Sequence, residues 1–176
     1  MLTHIHIWNF AIVESLDLEL EAGLTVLTGE TGAGKSILLD ALNLALGDRA
    51  DTGVIRHGAD KAEISVTFST HAVPEAEAWL QERELDSAEE CIIRRTISTS
   101  GPSKAFINGK PTPIQSLREL GEMLVDLHGQ HEHQSLLRRD AQRQLLDDYA
   151  GHTPLLTELG VAYHQWRDLE AELVAL

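Results

Sequence analysis

Residues Gly29 to Ser36 read Gly-Glu-Thr-Gly-Ala-Gly-Lys-Ser, a GxxxxGK[ST] phosphate loop, and this octet constrains the fold more than any other stretch of the chain. Small residues at Gly29, Gly32, Ala33 and Gly34 let successive backbone N–H groups, those of Glu30 and Thr31 included, turn toward one anion. Lys35 can reach the β- and γ-phosphates of a nucleoside triphosphate, and the Ser36 hydroxyl can take a coordination position on Mg²⁺. The pattern alone also occurs as a chance glycine turn, so its flanks decide. Leu24-Thr25-Val26-Leu27-Thr28 before it is a short apolar and β-branched run that predicts a strand. Ile37 to Leu46 after it is helix-forming and stops at Gly47. Strand, glycine loop and helix form the context that the motif requires.

The rest of the composition narrows the setting. A chain of 176 residues, 43% hydrophobic and 24% charged, is ordinary globular material with room for one sizeable core and an appendage. The lone cysteine, Cys91, excludes a disulfide framework and is expected as a buried small residue in a reducing cytoplasm. No run approaches the roughly 18 apolar residues of a membrane span, and the N-terminus has no signal pattern. The net charge of −14 argues against a broad duplex-binding surface, which draws on Lys and Arg neutralising phosphates. Its densest basic spots, Arg94-Arg95 and Arg138-Arg139, both have acids nearby.

Along the chain, Leu2 to Trp8 alternates, with Leu2, His4 and His6 on one side and Thr3, Ile5 and Ile7 on the other. Val13 to Leu20 alternates again. Asp48 to Asp60 reads as loop, Glu63 to Ser69 as a half-buried strand, and Pro74 to Glu84 as an acidic helix facing Trp79 and Leu80 to the core. A strand at Cys91 to Ser98, a Gly101-Pro102 turn and a strand at Ser103 to Ile107 lead to Asn108-Gly109, a strong hairpin signal. Thr112 and Pro113 suit the N-cap and first position of a helix reaching about Gly121. Met123 to Leu127 reads as a buried strand, and Asp140 to Tyr149 as a helix ended by Gly151.

From Leu155, apolar residues recur at Leu159, Ala162, Trp166, Leu169, Leu173 and Leu176, with alternating gaps of 4 and 3 after a Thr153-Pro154 helix start. That is a heptad seam. Three heptads also fit an amphipathic helix packed on the domain, but the pattern runs to Leu176 without a stop signal, which favours a coiled-coil arm.

One expected feature is missing. Phosphoryl transfer to water needs a second acidic site, an apolar strand ending in Asp and usually Glu, to hold Mg²⁺ and orient the water. Leu145-Leu146-Asp147-Asp148 lies in a predicted helix with too few apolar residues before its acids. Asp126 follows a better strand but lacks a second acid. A Leu-Ser-Gly-Gly-type segment is absent too. The chain can bind a nucleotide but looks incomplete as a hydrolase.

Taken together, Ile7-Trp8-Asn9-Phe10-Ala11-Ile12-Val13, the loop Thr28–Ser36, Leu46-Gly47-Asp48-Arg49-Ala50, Phe106-Ile107-Asn108-Gly109 and His128-Gly129-Gln130-His131-Glu132-His133-Gln134 resemble the bacterial RecN family. These are SMC-like ATPases of DNA double-strand-break repair with an ABC-type head. The resemblance covers nearly the whole chain, in order. It implies an α/β P-loop fold with a mixed β-sheet: the N-terminal lobe of a split head over 1–150, and the start of an antiparallel coiled-coil arm over 151–176. It implies ATP and Mg²⁺ as cofactors. The partners would be the C-terminal half of the same head, a second head sandwiching ATP, and DNA ends through the assembled protein. Signature motif and Walker B acids would come from the C-terminal half. The chain alone would then be inactive, within a cytoplasmic, nucleoid-associated protein. By position, Gly29 to Ser36 hold phosphates and Mg²⁺, and Gln130 is the Q-loop glutamine expected at Mg²⁺ and the attacking water. Arg49 would reach the phosphates in cis, and Asn9 would border the nucleotide.

His128, His131 and His133 with Glu132 have the chemical types of a metal cluster, but their spacing matches no common zinc pattern. Hydrogen bonds or contacts between lobes are the expected role. Two competing readings remain. A free-standing P-loop kinase or GTPase would need an arginine lid or an Asn-Lys-x-Asp motif, and neither is present. A scaffold with vestigial nucleotide binding would rest on the C-terminal helix alone.

Overall fold

A computed structural model of the chain describes residues 1–29, 34–88, 90–125 and 139–175. They form two compact units, Met1–Asp126 and Leu127–Leu176.

The first unit is built on six strands: β1 (Leu2–Phe10), β2 (Val13–Glu19), β3 (Lys61–Ser69), β4 (Glu90–Ser98), β5 (Gly101–Ile107) and β6 (Lys110–Pro111). They lie in the order β2-β1-β3-β4-β5-β6, and every pairing among these strands is antiparallel. Period-2 alternation sets which face is buried. Ile5 and Ile7 of β1, Ala62, Ile64, Val66 and Phe68 of β3, and Cys91, Ile93 and Ile97 of β4 all point to one face and are buried. Helix α1 (Lys35–Ala45) covers that face over β3 and β4, and α3 (Ile114–Leu124) covers it over β5. Between them α1 contributes Ala41, Leu42, Leu44 and Ala45 to the core, and α3 contributes Leu117 and Leu120. The intervening helix, α2 (Pro74–Glu82), packs on α3 and buries Trp79 and Leu80, as its pattern predicted. Each such side chain contributes about 1.5–3 kcal/mol by leaving water, so the two rows sandwiched between sheet and helices dominate the stability of this unit.

The Asn108-Gly109 hairpin forms as expected, with φ of 48° and 79°. Asn108 also ties the hairpin to its surroundings: its side-chain amide donates to the Leu85 carbonyl at 2.7 Å and its Oδ1 accepts from the Ile92 N–H at 2.8 Å.

Several local expectations are corrected. Leu24 to Thr28 forms no strand, and Leu24, Val26 and Leu27 are 92%, 72% and 51% exposed. The residues have strand propensity, but a strand needs a partner, and no described strand lies beside them. Met123 and Leu124 belong to α3, Val125 after them is extended, and Asp126 and Leu127 of the expected strand lie outside the described residues. The run is too short for periodicity to separate strand from helix, and the buried Leu117 and Leu120 one turn earlier draw it into the helix. Pro113, not Thr112, is the N-cap of α3; the Thr112 hydroxyl instead donates to the Lys110 carbonyl at 2.9 Å. The turn between β4 and β5 lies at Thr99-Ser100, and Gly101 already pairs with Ser98.

The second unit contains α4 (Arg139–Ala150) and α5 (Thr153–Ala175), separated by Gly151 at φ 68°. Helix α5 is 23 residues long, and the heptad side chains Leu155, Leu159, Trp166, Leu169 and Leu173 are all exposed. Among the described residues no helix is long and apolar enough to cross a membrane.

Candidate nucleotide site

The site begins where α1 begins. Gly34 is its N-cap and sits at φ 98°, a left-handed conformation that turns the chain sharply into the helix. Its carbonyl accepts the first helical bond, from Leu38 at 3.1 Å. Among the described residues no side chain caps this end, and the first turn of α1 holds no acid. The leading N–H groups of α1 present the positive end of the helix dipole. The Lys35 ammonium folds back onto the Gly29 carbonyl, which brackets the loop from its far side. Ser36 is exposed in the first turn. The sequence-predicted residues Gly29, Gly34, Lys35 and Ser36 thus gather at one helix end. That donor set fits a polyphosphate with its divalent cation: main-chain N–H groups, one ammonium and one hydroxyl. Glu30, Thr31, Gly32 and Ala33 lie outside the described residues, as do Gln130, His128, His131, Glu132 and His133. Among the described residues no cluster of three or more His, Cys, Asp or Glu could hold a metal ion.

Beside α1, the segment after the short 3₁₀ turn Thr52–Val54 is stitched to the β1–β2 turn. Ala11 N–H donates to Val54 O at 2.7 Å, Arg56 N–H donates to Asn9 O at 2.9 Å, and Phe10 pairs with Ile55. The turn itself carries Asn9 at φ 52° and Ala11 at φ 50°, a conformation few non-glycine residues adopt. Beside this stitching an open cavity of about 380 Å³ runs along the flank of α1, lined by Phe10, Ala11, Ile37, Asp40, Asp48 and Arg49 among others. Arg49 therefore faces the same flank of α1 as the β1–β2 turn. Asn9 does not line the cavity; it holds the turn through its carbonyl.

Sequence reasoning missed the residues at the other end of α1. Arg95, read there as half of a basic surface spot, is only 1% exposed. It takes the inward slot of β4 between Ile93 and Ile97, while Arg94 lies on the outer face with its guanidinium 4.4 Å from the Phe106 ring. Arg95 donates to the Leu44 carbonyl of α1 at 3.0 Å and to the Ser103 hydroxyl at 3.1 Å. Burial pushes its guanidinium below the ordinary value, and Asp48 opposes that shift. The alternation Cys91, Ile93, Arg95, Ile97 is the signal that could have found it. Burial likewise pushes the Cys91 thiol up to about 12, so it is not a nucleophile at neutral pH.

The AAA domain family model matches residues 4–153. The chain belongs to that family. It is 50% identical over 176 residues, its full length, to the DNA repair protein RecN of Vibrio cholerae, and 47% identical over 86% of its length to RecN of Bacillus subtilis. It spans between about a quarter and a third of the length of these curated relatives, 32% and 26% respectively. The RecN-like, SMC-type head lobe expected from its motifs is thus the lobe the comparisons support. Solved Smc head domains share the fold: that of Pyrococcus furiosus, with an extended coiled coil, superposes with a TM-score of 0.65 at 18% identity, covering 98% of this AAA domain chain and 47% of its own. The Smc head of Pyrococcus yayanosii gives 0.65 at 19%, covering 98% and 36%.

Proposed function

We propose that this chain is the ATP-gripping lobe of a split, RecN-like head in a DNA repair ATPase, and that it works only with a second lobe. The observation that carries the reading is the start of α1: a left-handed Gly34 leading into a first turn that holds no acid, with Lys35 folded across to Gly29. Main-chain groups of Gly29 to Ser36 and the Lys35 ammonium would hold the triphosphate, with the Ser36 hydroxyl on Mg²⁺. Arg49 would approach the phosphates along the α1 flank, Asn9 would shape the border of the pocket, and Gln130 would meet Mg²⁺ and the attacking water. ATP and Mg²⁺ supply the reacting phosphoryl group and its charge neutralisation.

The open run from Leu24 to Leu27 supports a second lobe. Its apolar, strand-forming residues lead into the phosphate loop, and a C-terminal half of the same head would pair with them. That half would bring the signature motif and the acids this chain lacks. Two such heads would then close over ATP, and the exposed heptad seam of α5 would extend into a paired arm over 151–176 that couples head closure to holding or bridging DNA ends. Lys35→Ala tests the reading in the full-length protein: ATP binding should weaken by at least about tenfold, since a charged hydrogen bond is lost, and ATP-dependent head dimerisation should disappear. Unchanged binding together with surviving dimerisation would sink it.

A further inference from the structure

We infer that Arg95 is a positioning residue for the phosphate loop: it acts through the far end of α1 and never touches the nucleotide. The inference rests on the nucleotide reading above and extends it to a residue in the core.

Among the described residues Arg95 is the largest fully buried side chain, and the one carboxylate that acts on it is Asp48. A buried guanidinium without a direct ion pair is costly, and apolar residues of similar volume commonly stabilise a core better. Its Nε makes no hydrogen bond among the described residues, which adds to that cost. Core stability therefore does not account for an arginine here. Its bonds do. One guanidinium N–H reaches the Leu44 carbonyl in the last turn of α1, which also accepts the Gly47 N–H at 3.3 Å. Another reaches Ser103 on β5. The side chain thus ties the C-terminal end of α1 to two strands at once.

The same end is gripped from the other side by α3. Gly47 ends α1 at φ 110°, and a Cβ there would come within 2.9 Å of the Arg118 backbone nitrogen. A Cβ on Gly121 would come within 3.1 Å of Leu46. The Arg118 side chain donates to the Gly47 carbonyl at 3.3 Å. The segment that ends α1 therefore meets α3 closely at two points, backbone to backbone at Gly47 and Arg118 and through the Leu46 side chain at Gly121. An 11-residue helix is about 16 Å long, so a small tilt about this anchor moves the Gly34 end appreciably. Anchoring the C-terminal end in sheet and helix fixes where the N-terminal N–H groups point, and phosphate affinity depends on that convergence.

The test uses the full chain with three variants, Arg95→Met, Arg95→Lys and Arg118→Ala, each measured for thermal midpoint, fluorescent ATP binding with Mg²⁺, and hydrogen exchange along α1. Arg95→Met should keep or raise the midpoint yet weaken ATP binding by about tenfold or more, and should speed exchange through α1 while leaving β3 protected. Arg95→Lys should recover part of the affinity, and the exposed Arg118→Ala should cost a smaller factor in the same direction. Should Arg95→Met fail to fold, Arg95→Lys and Arg118→Ala carry the comparison. Unchanged affinity and unchanged α1 exchange in every folded variant would overturn the inference, as would a loss of affinity that merely tracks the midpoint. Lys35→Ala separates the two readings: if wild type binds no better than Lys35→Ala, the nucleotide reading fails, and the α1 exchange pattern alone decides the role of Arg95.

Discussion

At the scale of single residues, Gly34 and Gly47 bracket α1 with the same backbone sign but different surroundings. Both sit at positive φ, which costs an ordinary residue about 1–2 kcal/mol. A Cβ at Gly34 would meet open space, whereas one at Gly47 would press on the Arg118 backbone at 2.9 Å. Gly34→Ala should therefore lower unfolding stability by about 1–2 kcal/mol, and Gly47→Ala by about 3 kcal/mol once overpacking is added, both measurable by urea denaturation. Equal costs would mean that the α1–α3 contact gives way easily. A second prediction concerns Asp17. It accepts from His4 Nε2 at 2.5 Å and from His6 Nδ1 at 3.0 Å, and these hydrogen bonds, His4 first, hold its carboxyl below the ordinary value of 3.8. A lowered folded value means the stabilisation is present above about pH 4 and is lost as pH falls through the folded value. Asp17→Asn should lower stability slightly above about pH 4 and leave it almost unchanged below the folded value, which flattens the acid limb of a stability-against-pH curve; the change is small because the site is exposed.

At the scale of elements, what was legible is what a local pattern can carry. The strands β1, β3 and β4 announced themselves by alternation, and the P-loop announced α1, because both signals are written within one segment. The inward row of β3 is fully buried, so Phe68→Ala should cost about 3–5 kcal/mol, read by denaturant titration; a value near 1 would mean the core collapses around the gap. Other features depend on what is not in the segment. Leu24 to Leu27 has strand chemistry, but a ladder is made with a neighbour. Met123-Leu124-Val125 is too short to reveal its own period, and the helix before it takes its first two residues. Arg95 carried no sign apart from parity. It follows Arg94 directly, and which of two adjacent arginines is buried is decided only by the register of β4 against β3, where Arg95 stands opposite Ile64. For the candidate site, the glycine-led start of α1 was legible in the sequence, but the contacts that hold its other end were not.

At the scale of the whole molecule, two kinds of surface stand unpaired. One is the heptad seam of α5, exposed from Leu155 to Leu173, and the other is the run from Leu24 to Leu27. Neither is the random scatter of apolar residues found on any surface, since the first recurs at heptad spacing and the second is one contiguous run. A chain in this state hides its core well and its interfaces poorly. An extended apolar stretch open to solvent is also what holdase chaperones bind and what quality-control proteases cut in a newly made protein. Left uncovered in a newly made chain, the Leu24 to Leu27 segment would open the lobe to such triage, and its abundance would then follow the supply of whatever surface covers it.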